Sequence, residues 1–202
     1  MAQTLAGKTV AVLAADGFEQ VELTEPVKAL KEAGAKVEIV GLKAGEIQGF
    51  NHFDKADTVR VDRVVGEADA GAYDALMIPG GAHSPDQLRV DEDVRRFVRT
   101  MFDSGKPVAA ICHAPWVLID AGVVEGRRLT SYHTLRTDLR NAGAEVVDEE
   151  VVVDEGLVTS RKPDDLPAFC AAMVEEFAEG SHADRRRPVT EAANDAGQAG
   201  LH

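Results

Sequence analysis

Cys112 and His113 stand side by side between two apolar runs, Pro107-Val-Ala-Ala-Ile111 and Ala114-Pro-Trp-Val-Leu-Ile119. The first run reads as a buried strand and the second as a buried helix, so the thiol falls on the elbow between them. A thiol there sits at a helix N-terminus, where the backbone dipole favours an anion. The elbow also turns the side chain out above the sheet, as it does for the serine of α/β-hydrolases. Cys112 is therefore a candidate nucleophile whose pKa is expected to fall below the usual value of about 8.5. His113 is a candidate acid/base, provided a third group orients its ring. Cys170 is the contrast: it lies on the apolar stripe of the last helix and reads as a structural thiol.

Two further segments could meet this pair. Glu19 and Glu22 open the first helix, where carboxylates are favourable in any case. A protonated carboxyl from one of them could hold the sulfur anion by a hydrogen bond. Gly80 and Gly81 follow a strand and could simply make a turn. Equally, their N–H groups and that of Ala114 could cradle an oxyanion. Ser131 and Tyr132 are weaker candidates for the pocket wall. His52, His83 and His133 show no metal-ligand spacing, and no dinucleotide or P-loop fingerprint occurs, so no metal or cofactor is expected.

These segments need a frame. Lys8–Ala14, Lys36–Val40, Tyr73–Ile78 and Pro107–Ile111 read as buried strands. Between them, Leu23, Val27 and Leu30 mark one helix ended by Gly34, with Pro26 tolerable only near its start. Val94, Phe97, Val98, Met101 and Phe102 mark another, capped by Asp91. Residues 44–65 look irregular, with short alternating pieces such as Thr58-Val-Arg-Val-Asp62. Glu149–Arg161 reads as a hairpin and Pro163–Ala178 as a final helix. This alternation predicts a doubly wound, mostly parallel α/β sheet with helices on both faces, its site beyond the carboxyl ends of the strands. A single domain is expected over residues 1–179, with a flexible tail at 180–202, where apolar periodicity stops.

The bulk properties narrow the partners. The 202 residues carry a formal charge of -13, which argues against stable nucleic-acid binding. No 18-residue apolar run predicts a membrane span. Two cysteines make no disulfide framework, and a reducing cytoplasm is the simplest setting.

With these residues assembled, the chain resembles the PfpI family of intracellular cysteine proteases and deglycases, in the superfamily of the parkinsonism-associated deglycase. The resemblance covers about residues 8–178. It rests on Phe18-Glu-Gln-Val-Glu-Leu23, Ala75-Leu-Met-Ile-Pro-Gly-Gly81, Gly105-Lys-Pro-Val-Ala-Ala-Ile-Cys-His113, Leu118-Ile-Asp-Ala-Gly-Val-Val-Glu-Gly126, Thr130-Ser-Tyr132 and Asn141-Ala-Gly-Ala-Glu-Val-Val-Asp148. It implies a flavodoxin-like sheet, Glu22 in contact with the Cys112 sulfur, and His113 as catalytic base. It also implies a homo-oligomer in which an acidic residue from a neighbouring subunit orients that histidine. The matching position is Asp86, where the proteases of the family carry glutamate. The family's activities are peptide hydrolysis, removal of glyoxal and methylglyoxal adducts, and conversion of methylglyoxal to lactate, all without a cofactor.

Two other classes compete. An oxidisable Cys112 would suit a redox-sensing or chaperone-like stress protein. A glutamine amidotransferase-like domain shares the elbow but expects a downstream His-x-Glu pair, which neither His133-Thr134-Leu135 nor His182-Ala183-Asp184 supplies.

Overall fold

The computed structural model describes residues 4–182. The chain enters through β1 (Thr9–Leu13), β2 (Phe18–Glu19), α1 (Gln20–Glu32) and β3 (Lys36–Gly41). It continues through β4 (Gly45–Asn51), β5 (Asp54–Val61), β6 (Arg63–Val64), β7 (Ala75–Ile78), α2 (His83–Val90), α3 (Glu92–Asp103) and β8 (Val108–Ile111). It closes with α4 (Pro115–Asp120), β9 (Arg128–Leu129), α5 (Arg136–Asn141), β10 (Glu145–Val146), β11 (Val151–Asp154), β12 (Leu157–Ser160) and α6 (Leu166–Glu179).

Seven strands form the main sheet in the order β11-β12-β8-β7-β1-β3-β6. Every neighbouring pair is parallel except β11–β12. From β1 the chain winds outward to β3 in one direction, and from β7 through β8 to β12 in the other. This is the flavodoxin-like arrangement, with its switch point between β1 and β7. The carboxyl ends of β1, β7 and β8 therefore lie side by side, and Glu22, Gly80 and Cys112 follow them.

Both faces of the sheet are covered, which explains why its strands read as unbroken apolar runs. Ala11, Leu13, Leu76, Ile78, Val108 and Ala110 face the helix stripe Val94, Phe97, Val98 and Met101. Val10, Val12, Met77, Ala109 and Ile111 face Leu23 and Leu30 of α1 and Phe169, Met173 and Phe177 of α6. Asp91 caps α3 by accepting the Val94 N–H at 3.0 Å. Cys170 is half-buried on the flank of the α6 cluster.

Two expectations need correction, and two helices went unread. Residues 44–65 are not irregular: β4 and β5 form an antiparallel hairpin, tied to β2 in a separate three-stranded sheet. Most of β5 is exposed, and only Val59 and Val61 alternate inward, within the short piece 58–62, too brief to mark a whole strand. Pro26 is interior to α1, which already starts at Gln20. Having no N–H, it leaves the Glu22 carbonyl without its helical donor. Finally, α2 and α5 are short helices whose stripes are too brief to register as a period.

The expected tail lies outside the described residues beyond His182. Residues 181–182 pack on the turn after α3, where the His182 N–H donates to the Gly105 carbonyl at 2.7 Å. Among the described residues no helix is long and apolar enough to cross a membrane.

Candidate active site

Cys112 is held in a backbone conformation that L-residues avoid, with φ of 64°. Such a residue costs about 1–2 kcal/mol and persists only where its surroundings fix it. Here both backbone groups are pinned. Its N–H donates to Ser160 O at 3.1 Å, continuing the pairing of β8 with β12, and its carbonyl accepts the Tyr132 N–H at 2.9 Å. The strand stops, the chain reverses, and Pro115 starts α4.

The elbow does not leave the thiol open, as its position in sequence suggested. Cys112 is only 6% exposed. Burial pushes its pKa up, against the expected fall, and an ionised Glu22 would push it further; the Gly81 and His113 N–H groups pull the other way. As a thiol the sulfur needs a base to become a nucleophile.

That base lies 3.1 Å away at His113 Nδ1. Adjacent residues do not automatically face each other; here the turn at Cys112 brings them together. The imidazole stacks on Tyr132, with centroids 4.7 Å apart, and tilts against Trp116 at 5.3 Å. Burial in this aromatic cage, with His133 nearby, lowers its pKa to about 4. His113 is thus neutral at pH 7. Nδ1 can accept the thiol proton only in the tautomer that carries hydrogen on Nε2, and Thr134 Oγ1 lies 3.4 Å from Nε2 as its acceptor.

Glu22 is fully buried. Its Oε2 accepts the Gly80 N–H at 3.0 Å, while Oε1 has no hydrogen-bond partner among the described residues. Burial, aided by the charge of Glu19, pushes its pKa up to about 8. Glu22 is therefore a neutral acid at pH 7, placed beside the Cys112 sulfur.

The glycine turn is packed too tightly for any side chain. A Cβ on Gly80 would lie 2.5 Å from both Cys112 Cβ and Glu22 Oε2, and 2.8 Å from the Ile111 carbonyl. Gly80→Ala is expected to cost about 2 kcal/mol and roughly 4–8 °C in Tm, and to lose thiol reactivity, readable by thermal unfolding and alkylation rate. Gly81 has φ of +83° and a Cβ there would lie 2.6 Å from Gly17 O.

The three expected oxyanion donors separate. Gly80 gives its N–H to Glu22, and Ala114 closes a turn on the Ile111 carbonyl at 3.0 Å. Gly81 faces the sulfur, and the His113 N–H, which sequence reasoning overlooked, joins it. Asp86 is exposed on α2 and makes no side-chain hydrogen bond or ion pair among the described residues. Within one chain it does not join His113.

Above the sulfur opens a cavity of about 540 Å³, walled by Glu19, Gly81, His83 and Tyr132 on the sheet side and by Phe50, His52 and Phe53 of the β4–β5 hairpin. The hairpin wall and Thr134 carried no signal in sequence, because they lie in segments with neither periodicity nor motif. The one described group of His, Cys, Asp and Glu close enough to share a cation is Glu176, Glu179 and His182 at the end of α6, outside this cavity.

The DJ-1/PfpI family model matches residues 8–176. The chain belongs to the DJ-1/PfpI family. It is 47% identical to protein/nucleic acid deglycase 2 of Escherichia coli over 80% of this chain and 93% of that protein. It is 44% identical to deglycase PfpI of Pyrococcus furiosus over 80% of this chain and 95% of that one. Among solved structures, a two-domain protein of Anabaena variabilis with DJ-1/ThiJ/PfpI-like and ferritin-like domains superposes with a TM-score of 0.81 at 34% identity. That match covers 92% of this chain but only 52% of the other, so this chain spans about half of it.

Proposed function

We propose that the protein is a cysteine-dependent hydrolase that repairs glyoxal and methylglyoxal adducts, with peptide hydrolysis as the neighbouring activity of the same site. The observation that carries this reading is the Cys112–His113 contact of 3.1 Å at the floor of an open cavity, with a neutral Glu22 beside the sulfur. The deglycase names of its relatives point the same way.

The geometry supports the following sequence. His113 Nδ1 takes the thiol proton as Sγ adds to the electrophilic carbon of the adduct. Glu22 O–H and the Gly81 and His113 N–H groups stabilise developing negative charge. His113 then returns the proton to the departing amine or thiol, and water releases the product from sulfur. For a methylglyoxal adduct, Sγ takes the place of the departing amine or thiol to give an enzyme hemithioacetal; a proton then moves from that carbon to the neighbouring ketone carbon through an enediol, and one water hydrolyses the resulting lactoyl thioester to lactate and free Cys112. A peptide carbonyl would follow the same addition and release without that internal proton shift.

His113 Nε2 has two possible acceptors. Thr134 serves within the chain, and Asp86 of a second copy is the proposed stronger one. Thr134→Val should lower kcat about threefold to tenfold with KM unchanged, and Thr134→Ser should restore it. A larger loss in Asp86→Ala than in Thr134→Val would mark the second copy as the main orienter; equal-to-wild-type kcat in Asp86→Ala would remove it from the site. The reading as a whole is tested with one preparation assayed on methylglyoxal-modified N-acetylcysteine and on casein. Cys112-dependent turnover of the adduct supports it, and turnover of neither substrate contradicts it.

A further inference from the structure

The β4–β5 hairpin ends in a two-residue turn, with Asn51 paired to Asp54 and His52 and Phe53 at the tip. Three observations set this tip apart. His52 has φ of 57°, a left-handed conformation at a position without glycine. Its N–H is held by the carboxylate of Glu19 at 3.1 Å, three residues before Glu22. Phe53 is 97% exposed, yet its ring borders the same cavity as Cys112.

The hairpin is aimed rather than loose. Its base is tied to the loop after β1, where the Gln48 N–H donates to Asp16 Oδ1 at 2.9 Å and the Gln48 carbonyl accepts the Gly17 N–H at 2.7 Å. The register slips between Gln48 and Phe50, an irregularity that twists a strand and re-aims its side chains. Glu19 then draws the tip over the site. The strained turn leaves a large apolar side chain facing water at the mouth of a reactive cavity that Phe50 also lines.

We propose that Phe53 is the specificity-determining contact of the site, and that it selects adducts whose group next to the reacting carbon is apolar, aromatic above all. This rests on the reading of the site as a thiol-dependent hydrolase. The ring touches the part of the substrate that does not react, so it discriminates among substrates without entering the chemistry.

The test compares kcat/KM on two methylglyoxal adducts, one of N-acetylcysteine amide and one of an N-acetyl-Phe-Cys amide. Wild type should prefer the second by about tenfold, the scale expected for sheltering part of an aromatic side chain from water. Phe53→Ala should reduce that preference to about twofold, with the rate on the small adduct within a factor of two of wild type. Phe53→Leu should keep an intermediate preference. Equal losses on both adducts, or no preference in wild type, would overturn the proposal. So would a changed oligomeric mass in Phe53→Ala with the preference intact, since the ring would then be a subunit contact. A binding arm separates this from the hydrolase reading. Cys112→Ala protein is titrated with N-acetylphenylalanine amide and N-acetylglycine amide by ligand-observed NMR. Tighter binding of the first that vanishes in Cys112→Ala/Phe53→Ala sustains the contact even if no adduct is turned over; equal binding of both removes it.

Discussion

Cys112→Ala protein is expected to keep its fold and lose at least about a thousandfold of its turnover on adducts and peptides alike. The side chain is small, and alanine fills most of its space, so the packing of the elbow changes little. The backbone anchors to Ser160 and Tyr132 do not involve the sulfur. Alanine also tolerates the positive φ no worse than cysteine does. Thermal unfolding within a few degrees of wild type, with turnover gone on both substrate classes, is the expected pair of readings. Cys170 supplies the control. Its thiol is pushed up to about 11 by burial and lies far from the cavity lining. Cys170→Ala should therefore keep full activity.

Glu22→Ala should lower kcat about a hundredfold, because it removes a preorganised donor beside the developing sulfur anion. Glu22→Gln is the sharper variant, since an amide keeps a donor but cannot ionise. It should retain activity within about threefold at pH 7. The pH profile then separates the roles. In wild type, activity should rise as His113 becomes neutral through about pH 4, and fall as Glu22 ionises through about pH 8. An anion beside the sulfur opposes thiolate formation, so the alkaline fall is assigned to Glu22, and Glu22→Gln should lose it. Stability follows the same sign. The folded pKa of Glu22 lies above its unfolded value of 4.5, so its contribution is fully present below 4.5 and is lost as pH rises toward 8. Denaturant unfolding should find wild type weaker at pH 9 than at pH 6, and the Glu22→Gln difference smaller.

The parts of this site that sequence revealed share a physical trait. Cys112, Gly80 and Glu22 each follow an apolar strand buried on both faces, and such strands are conspicuous as continuous apolar runs. The topology places their carboxyl ends side by side, so the convergence of three distant segments was legible before any distance was known. What stayed hidden depends on details finer than pattern. The thiol pKa is pushed up rather than down, because the elbow is buried, and burial depth is not written in spacing. Of the expected oxyanion donors Gly80 and Ala114 are engaged elsewhere while Gly81 still faces the sulfur, joined by the His113 N–H, because single backbone hydrogen bonds decide which N–H is free. The β4–β5 hairpin escaped notice because its strands are largely solvated and its wall contribution comes from the tip. Thr134 sits in a short 3-10 turn over His133–Leu135, where its one contact with His113 leaves no trace in sequence.

Catalysis as proposed requires Sγ of Cys112 to form a bond with substrate carbon. Rapid-quench mass spectrometry of the intact protein, mixed with methylglyoxal-modified N-acetylcysteine amide, observes that bond directly. The predicted result is a transient gain equal to the dicarbonyl-derived fragment, mapped by peptide digestion to Cys112, rising before product and decaying as it forms. It should be absent in Cys112→Ala and accumulate in His113→Ala if formed at all. Turnover at the wild-type rate with no modified Cys112 at any time, or with the same turnover in Cys112→Ala, would contradict the account.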